Sequence, residues 1–139
     1  MEEVNVEYWP GFPWAEIGPL YDVWLPMAYW SFRDSASPWA DPALYTSTNI
    51  ERVRTNIGDR SAIVHPIGGI GLNDDAGGGS EPIAVTDDLT EFVDAARSMD
   101  SIGWSIYDWM TISDEGQQIM SALARESVSA PQNLSLIHI

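Results

Sequence analysis

The sequence predicts an α/β fold built around a parallel sheet. Three short apolar runs alternate with three amphipathic segments, giving the order strand, helix, strand, helix, strand, helix at about 40 residues per unit. Neighbouring parallel strands need a long crossover, and a helix is the usual one. Two architectures suit this alternation, a doubly wound open sheet and a (β/α)8 barrel.

The first unit occupies roughly residues 21–58. Residues 21–32 form an almost continuous apolar run, typical of a strand buried on both faces, although Pro26 removes one backbone donor. Asp41 before Pro42 predicts a helix N-terminus, and Gly58 predicts its C-terminal cap. Residues at spacings of three and four form the predicted apolar face of this helix: Ile50, Val53 and Ile57.

The second unit begins with a strand at residues 61–67, which runs into the glycine-rich segment 68–71. A long loop rich in Asp and Gly follows. Thr86, Asp87 and Asp88 then predict a helix start, because acidic side chains are favourable at the positive end of the helix dipole. The predicted apolar stripe of this helix consists of Leu89, Phe92, Val93 and Ala96.

The third unit has its predicted strand at residues 102–109. Ser113, Asp114 and Glu115 open the third helix, which we expect to end near Arg125. Its predicted apolar face consists of Ile119, Met120 and Leu123. The segment Gly69-Ile70-Gly71 lacks a third glycine at the right spacing and leads into a loop, so a dinucleotide-binding turn is not expected.

Composition and charge exclude several classes of function. The 139 residues include 21 acidic and six basic side chains, all six arginine, for a net charge of -15, which argues against nucleic acid or anionic membranes as partners. With no cysteine and with His65 the single histidine before residue 134, neither a zinc site nor any other cofactor is expected. No apolar stretch approaches the length of a membrane span, and the acidic N-terminus does not resemble a signal peptide.

The last six residues, 134–139, resemble a one-frame translation of the transposon adapter used in sequencing-library preparation. We interpret them as not native; the alternative is a natural apolar tail. The domain is therefore predicted to occupy residues 1–133.

Three strand-end motifs resemble those of glycoside-hydrolase-like TIM barrels. The segment 21–30, with its Pro-Met-Ala-Tyr ending, is similar to the sixth strand, and 103–109, Gly followed by an aromatic-Asp end, is similar to the final strand. Residues 65–71 fit between them as strand seven. The sequence over roughly 9–126 also resembles uncharacterised actinobacterial proteins, whose GC-rich genomes suit a lysine-free composition. The implied fold is the C-terminal part, about three βα units, of a (β/α)8 TIM barrel.

The same resemblance places the catalytic acid after the fourth strand, upstream of Met1, so a missing N-terminal barrel half is the expected partner and no catalytic residue carries over. Active sites of such barrels lie at the C-terminal ends of the strands. Asp108 is a carboxylate in such a place, and it is the candidate catalytic residue; the alternative is a bond to a neighbouring loop. The predicted substrate-binding residues are Tyr29, Trp30, Arg33, Tyr107, Asp108 and Trp109.

Other roles remain open for several of these side chains. The tryptophans either line a sugar-binding mouth or pack in the core, and the core is favoured for Trp24 and Trp104. Arg33 either binds a substrate group or pairs with Asp34, and His65 is expected to be a hydrogen-bonded core residue.

Two functions follow from the resemblance. The first is part of a glycoside hydrolase acting on a polysaccharide or glycan, with a carbohydrate ligand and the catalytic acid on upstream strands. The second is a non-catalytic carbohydrate-binding TIM barrel. For either, the full-length protein is expected outside the cell or in the cell envelope.

Overall fold

The computed structural model describes residues 11–69, 72–73, 81–82, 86–107 and 114–129. Within these ranges the chain has a mixed helix-and-strand fold with short parallel sheets, as expected for the α/β class. The described α-helices are α1 (Trp14–Ile17), α2 (Pro42–Ile57), α3 (Thr86–Ser98) and α4 (Asp114–Ser129). The described strands are β1 (Val23–Trp24), β2 (Met27–Ala28), β3 (Ile63–Val64), β4 (Ile67–Gly69), β5 (Leu72–Asn73), β6 (Glu81–Pro82) and β7 (Ser105–Tyr107).

The parallel strands follow one another across the sheet in chain order. β1 pairs with β3, and β4 lies between β2 and β7. Pro26 interrupts the first predicted strand and Pro66 the second, but each proline carbonyl accepts a hydrogen bond from the next strand, from the Ile67 amide at 2.9 Å and the Ser105 amide at 3.2 Å. The hydrogen-bond ladder therefore continues across both prolines. Strands are present within all three predicted segments, and β4 extends two residues past the predicted end at residue 67. Residues 108 and 109 of the third segment lie outside the described residues.

The predicted helix signals are confirmed. A side-chain oxygen of Asp41 accepts a hydrogen bond from the Leu44 amide at 2.7 Å, and Gly58 ends α2 with a φ of 77°. Helix α3 begins at Thr86, and all four residues of its predicted stripe are fully buried. Helix α4 begins at Asp114 and continues beyond Arg125 to Ser129. None of the helices in the described ranges is both long enough and apolar enough to span a bilayer.

The crossover helices α2 and α3, together with α4, cover one face of the sheet. Helix α2 packs against α3, and α3 packs against α4. One core cluster between sheet and helices joins Trp30 and Tyr45 to Leu89, Phe92, Val93 and Leu123. A second cluster joins Ile50 and Val53 of α2 to Val64 of β3. We call this side of the sheet the helix face.

The opposite side, which we call the open face, carries the alternate residues of the same strands. Ala28 and Val64 are fully buried on the helix face, whereas their neighbours Met27 and Ile63 are 58% and 44% exposed. The alternation follows from the pleat, which points successive side chains to opposite sides. None of the described helices covers the open face.

Helix α1 and the ribbon of β5 and β6 are short features that the sequence did not predict. Helix α1 precedes the first strand, and β5 pairs with β6 as an antiparallel ribbon inside the segment predicted to be a loop. Residues 134–139, interpreted above as not native, lie outside the described residues.

Candidate functional site

The C-terminal ends of the three parallel strands meet at one edge of the sheet. Ala28 of β2, Gly68 of β4 and Ile106 of β7 stand in register, and one residue further Gly69 pairs with Tyr107. Side chains that follow these strand ends therefore emerge close together.

Tyr29 and Tyr107 stack on the open face at this edge. Their ring centroids lie 5.9 Å apart with an interplanar angle of 23°. Gly69 makes this possible, because a Cβ on that residue would lie 2.6 Å from Cδ1 of Tyr29. Phe32, 54% exposed, extends the row with its ring centroid 5.8 Å from that of Tyr29. We call Phe32, Tyr29 and Tyr107 the aromatic strip.

Burial raises the pKa of the Tyr29 hydroxyl above 10.0, and the neighbouring Tyr107 raises it further. The Tyr29 hydroxyl therefore stays protonated at neutral pH, where it can both donate and accept a hydrogen bond. An aromatic face beside a neutral hydroxyl suits a ligand with apolar and hydroxylated sides.

Trp30, predicted either for the mouth or for the core, lies in the core. Its side chain is 1% exposed and its ring stacks on Phe92 at 5.2 Å. Gly68 provides the space, because a Cβ there would lie 2.7 Å from the indole and 2.6 Å from Ile106. The two adjacent glycines thus admit one aromatic ring each, on opposite faces of the sheet.

Asp88 lies behind the strip, at the start of α3. Its Oδ2 accepts a hydrogen bond from Nε1 of Trp30 at 3.4 Å. Burial raises the pKa of the Asp88 carboxyl, the Trp30 bond opposes that rise, and Asp87 and Asp41 add to it. The sequence identified Asp88 only as a helix-start residue; its position in the first turn of a helix that follows a strand end was the available signal.

Arg33 contacts Tyr29 through the backbone only. Its Nε donates to the Tyr29 carbonyl at 3.4 Å, and its Cζ lies 5.6 Å from the centre of the Tyr45 ring, which belongs to the first core cluster. Asp34, the alternative partner in the sequence interpretation, accepts a hydrogen bond from the Ala36 amide at 2.8 Å. The guanidinium of Arg33 thus lies over a ring of the helix face and not over the aromatic strip.

The structure brings the side chains of two of the six predicted substrate-binding residues together: Tyr29 and Tyr107. Asp108 and Trp109 lie outside the described residues. Trp104, favoured for the core, meets Phe92 edge-on at 6.4 Å, and Trp24 packs against the second core cluster.

His65 lies lower on the open face and bonds to a residue that sequence reasoning did not consider. Its Nε2 is 2.7 Å from Oγ of Ser105, and burial lowers the pKa of its imidazole below 6.5. A neutral imidazole in contact with a hydroxyl can accept its proton. Ser105 lies next to His65 because of the register between β4 and β7, and short-range sequence patterns do not reveal that register.

No protein-family model, curated protein or solved structure matches the chain. The chemistry of these side chains is therefore the basis for assigning a function. Among the described residues, two arrangements offer such chemistry: the aromatic strip at the strand ends, and the His65–Ser105 pair below it.

Proposed function

We propose that this chain is the C-terminal part of a glycoside-hydrolase-like (β/α)8 barrel and that its aromatic strip forms one wall of a carbohydrate-binding cleft. The strand order supports the barrel. In a barrel, consecutive parallel strands lie side by side with every helix on the outside. A doubly wound sheet binds its ligand where the strand order reverses, and the three-stranded parallel sheet β2–β4–β7 contains no reversal.

The stacked pair Tyr29 and Tyr107 is the observation that carries the proposal. It stands at the C-terminal ends of the strands, on the face that becomes the interior of a barrel, and Tyr107 is 57% exposed. Aromatic rings beside hydroxyl groups supply the apolar faces and directed hydrogen bonds that a sugar ring needs.

Hydrolysis needs two carboxyl groups, one acting as acid and the other as nucleophile or base. In the proposal the catalytic acid comes from upstream strands, and Asp108, directly after Tyr107, contributes at most one carboxyl group. The alternative is a barrel with the same strip that binds polysaccharide without cleaving it.

Affinity electrophoresis of the 139-residue chain through gels containing neutral polysaccharides tests the binding proposal. We expect Tyr29→Ala and Tyr107→Ala to abolish the retardation that the unmodified chain shows. Tyr21→Ala is the matched control, because Tyr21 is 61% exposed and its ring packs on Trp24, near the opposite ends of the strands.

Absence of retardation for the unmodified chain, or equal retardation for all three variants, would overturn the proposal. Extending the test to the gene with its upstream strands separates the two functions. Release of reducing sugar supports the hydrolase, and retained binding without release supports the non-catalytic barrel.

A further inference from the structure

Phe32, the outer ring of the aromatic strip, is a residue that the sequence did not predict for substrate binding. Its side chain is 54% exposed, and its ring centroid lies 5.8 Å from that of Tyr29 with an interplanar angle of 52°. A benzyl group this exposed contributes little to the core of the described structure. Because phenylalanine carries no polar group in its side chain, it offers a ligand an apolar face.

The short 3-10 turn that carries Phe32 is anchored to the rest of the sheet. Its first residue, Trp30, is buried in the core, and the hydroxyl of Ser31 donates a hydrogen bond to the Gly69 carbonyl at 2.6 Å. The Arg33 amide closes the turn by donating to the Trp30 carbonyl at 2.9 Å. The backbone therefore presents the Phe32 ring at a defined place, and a ligand that binds there needs to order few additional groups.

The three rings of the strip lie side by side across the strand ends. Tyr29 is in the middle, because its ring centroid is 5.8 Å from that of Phe32 and 5.9 Å from that of Tyr107. Tyr29 follows β2 and Tyr107 ends β7, with β4 between these two strands. Each separation is comparable with the length of one sugar unit in a chain. The strip therefore offers more apolar surface than a single sugar ring can cover.

The strip does not depend on an unpaired strand edge. The strands that close a barrel pair with the outer edges of the sheet through their backbone groups. The C-terminal ends of the strands then surround the mouth of the barrel, where ligands bind in this fold. Phe32 lies beyond the end of β2, in the turn after Tyr29, so closure of the proposed barrel leaves it at that mouth.

We propose that Phe32 makes the cleft selective for oligosaccharide chains over single sugars. The inference rests on the proposed function, because it extends the same strip to a second sugar unit. One unit lies against Tyr29 and Tyr107, whose hydroxyls can hydrogen-bond to it, and the next unit lies against Phe32. Since the Phe32 side chain makes no hydrogen bonds, it detects the presence of the second unit and not the configuration of its hydroxyl groups.

Titration of the 139-residue chain with soluble sugars, followed by NMR chemical shifts, tests this selectivity. The probes are the monosaccharide, disaccharide and trisaccharide of the neutral polysaccharide that retards the chain most strongly. Dissociation constants are compared per sugar unit, which removes the statistical advantage of a longer probe. We expect the trisaccharide to bind about three- to tenfold more tightly than the monosaccharide, the gain that one additional aromatic contact gives.

Phe32→Ala is the decisive variant. We expect it to lose this gain, so that trisaccharide and monosaccharide bind equally per sugar unit, while the affinity for the monosaccharide is unchanged. Phe32→Tyr keeps the aromatic face and should keep the gain. Leu20→Ala is the matched control, because Leu20 is a 74% exposed apolar side chain near the opposite ends of the strands.

The outcomes separate this inference from the proposed function. Equal affinity of the unmodified chain for all three sugars, or a gain that Phe32→Ala retains, overturns the inference and leaves the carbohydrate cleft in place. No binding of any of the three sugars, together with no retardation, overturns both. Thermal melting checks the fold of Phe32→Ala. If that variant melts early, Phe32→Leu, which keeps an apolar side chain without an aromatic face, replaces it with the same expected loss.

Discussion

The helix face and the open face of the sheet are made by alternate residues of the same strands, yet they differ sharply. The helix face is closed, with Trp30, Phe92, Val64 and Ala28 at most 1% exposed. The open face leaves Met27 and Tyr107 more than half exposed. The aromatic strip and the His65–Ser105 pair both lie on the open face. The comparison shows that the helix face supplies the stability of the described structure, while the open face retains side chains free to meet a ligand.

The largest expected effect is on the helix face. Phe92→Ala removes a fully buried ring whose centroid lies 5.2 Å from that of Trp30 and 6.4 Å from that of Trp104. We expect it to lower the free energy of unfolding by about 3–5 kcal/mol. The matched change on the open face, Met27→Ala, should alter it by about 0.5 kcal/mol or less. Urea unfolding followed by circular dichroism measures both, and equal losses would contradict the distinction between the faces.

The two adjacent glycines of β4 allow a finer test. Gly68→Ala places a methyl group against Ile106 and Trp30 in the closed core, so we expect a loss of about 1–3 kcal/mol in unfolding free energy. Gly69→Ala presses instead on Tyr29, because the added Cβ would lie 2.6 Å from Cδ1, 2.8 Å from Cγ and 3.0 Å from Cβ of that residue. These atoms lie close to the Tyr29 backbone, so the whole ring is displaced and carbohydrate retardation should weaken. Gly68→Ala should leave the retardation unchanged, and equal weakening by both changes would contradict the assignment of one ring to each face.

The smallest effect concerns Asp88, at the border of the helix face. Its pKa is raised in the folded chain, so the folded state binds more protons than the unfolded state above pH 3.8, and stability falls as pH rises through the folded pKa. Asp88→Asn removes the ionisable group and with it this loss of stability at higher pH. We expect stabilisation at pH 7 of less than about 1 kcal/mol, because the carboxylate is partly solvated, and none at pH 3.

Thermal melting of Asp88→Asn at the two pH values makes the measurement. Glu91→Gln is the control, since it removes one charge from an exposed position on the same helix. An equal gain from Glu91→Gln would assign the effect to net charge and not to the burial of Asp88.

Local patterns in the sequence determined the helices and their order with the strands. The Asp41-Pro42 cap, the Gly58 terminus and the buried stripe of α3 all follow from side chains within one or two turns. The strands were located but their ends were not, because an apolar run does not reveal where pairing starts and stops: β4 extends two residues past the predicted end at residue 67. Pro26, which removes a backbone donor, lies where the first strand divides.

Tertiary structure alone decided which face each strand residue occupies and which distant residues meet. Tyr29 and Trp30 are adjacent aromatic residues, and the sequence predicts both as ligand-binding residues. In the structure they point to opposite faces, so that Trp30 lies in the core and Tyr29 in the aromatic strip. The Tyr29–Tyr107 contact joins residues 78 positions apart in the sequence, and the His65–Ser105 contact joins residues 40 positions apart. Sheet register creates such contacts, and register depends on the packing of the whole sheet, which no local spacing encodes.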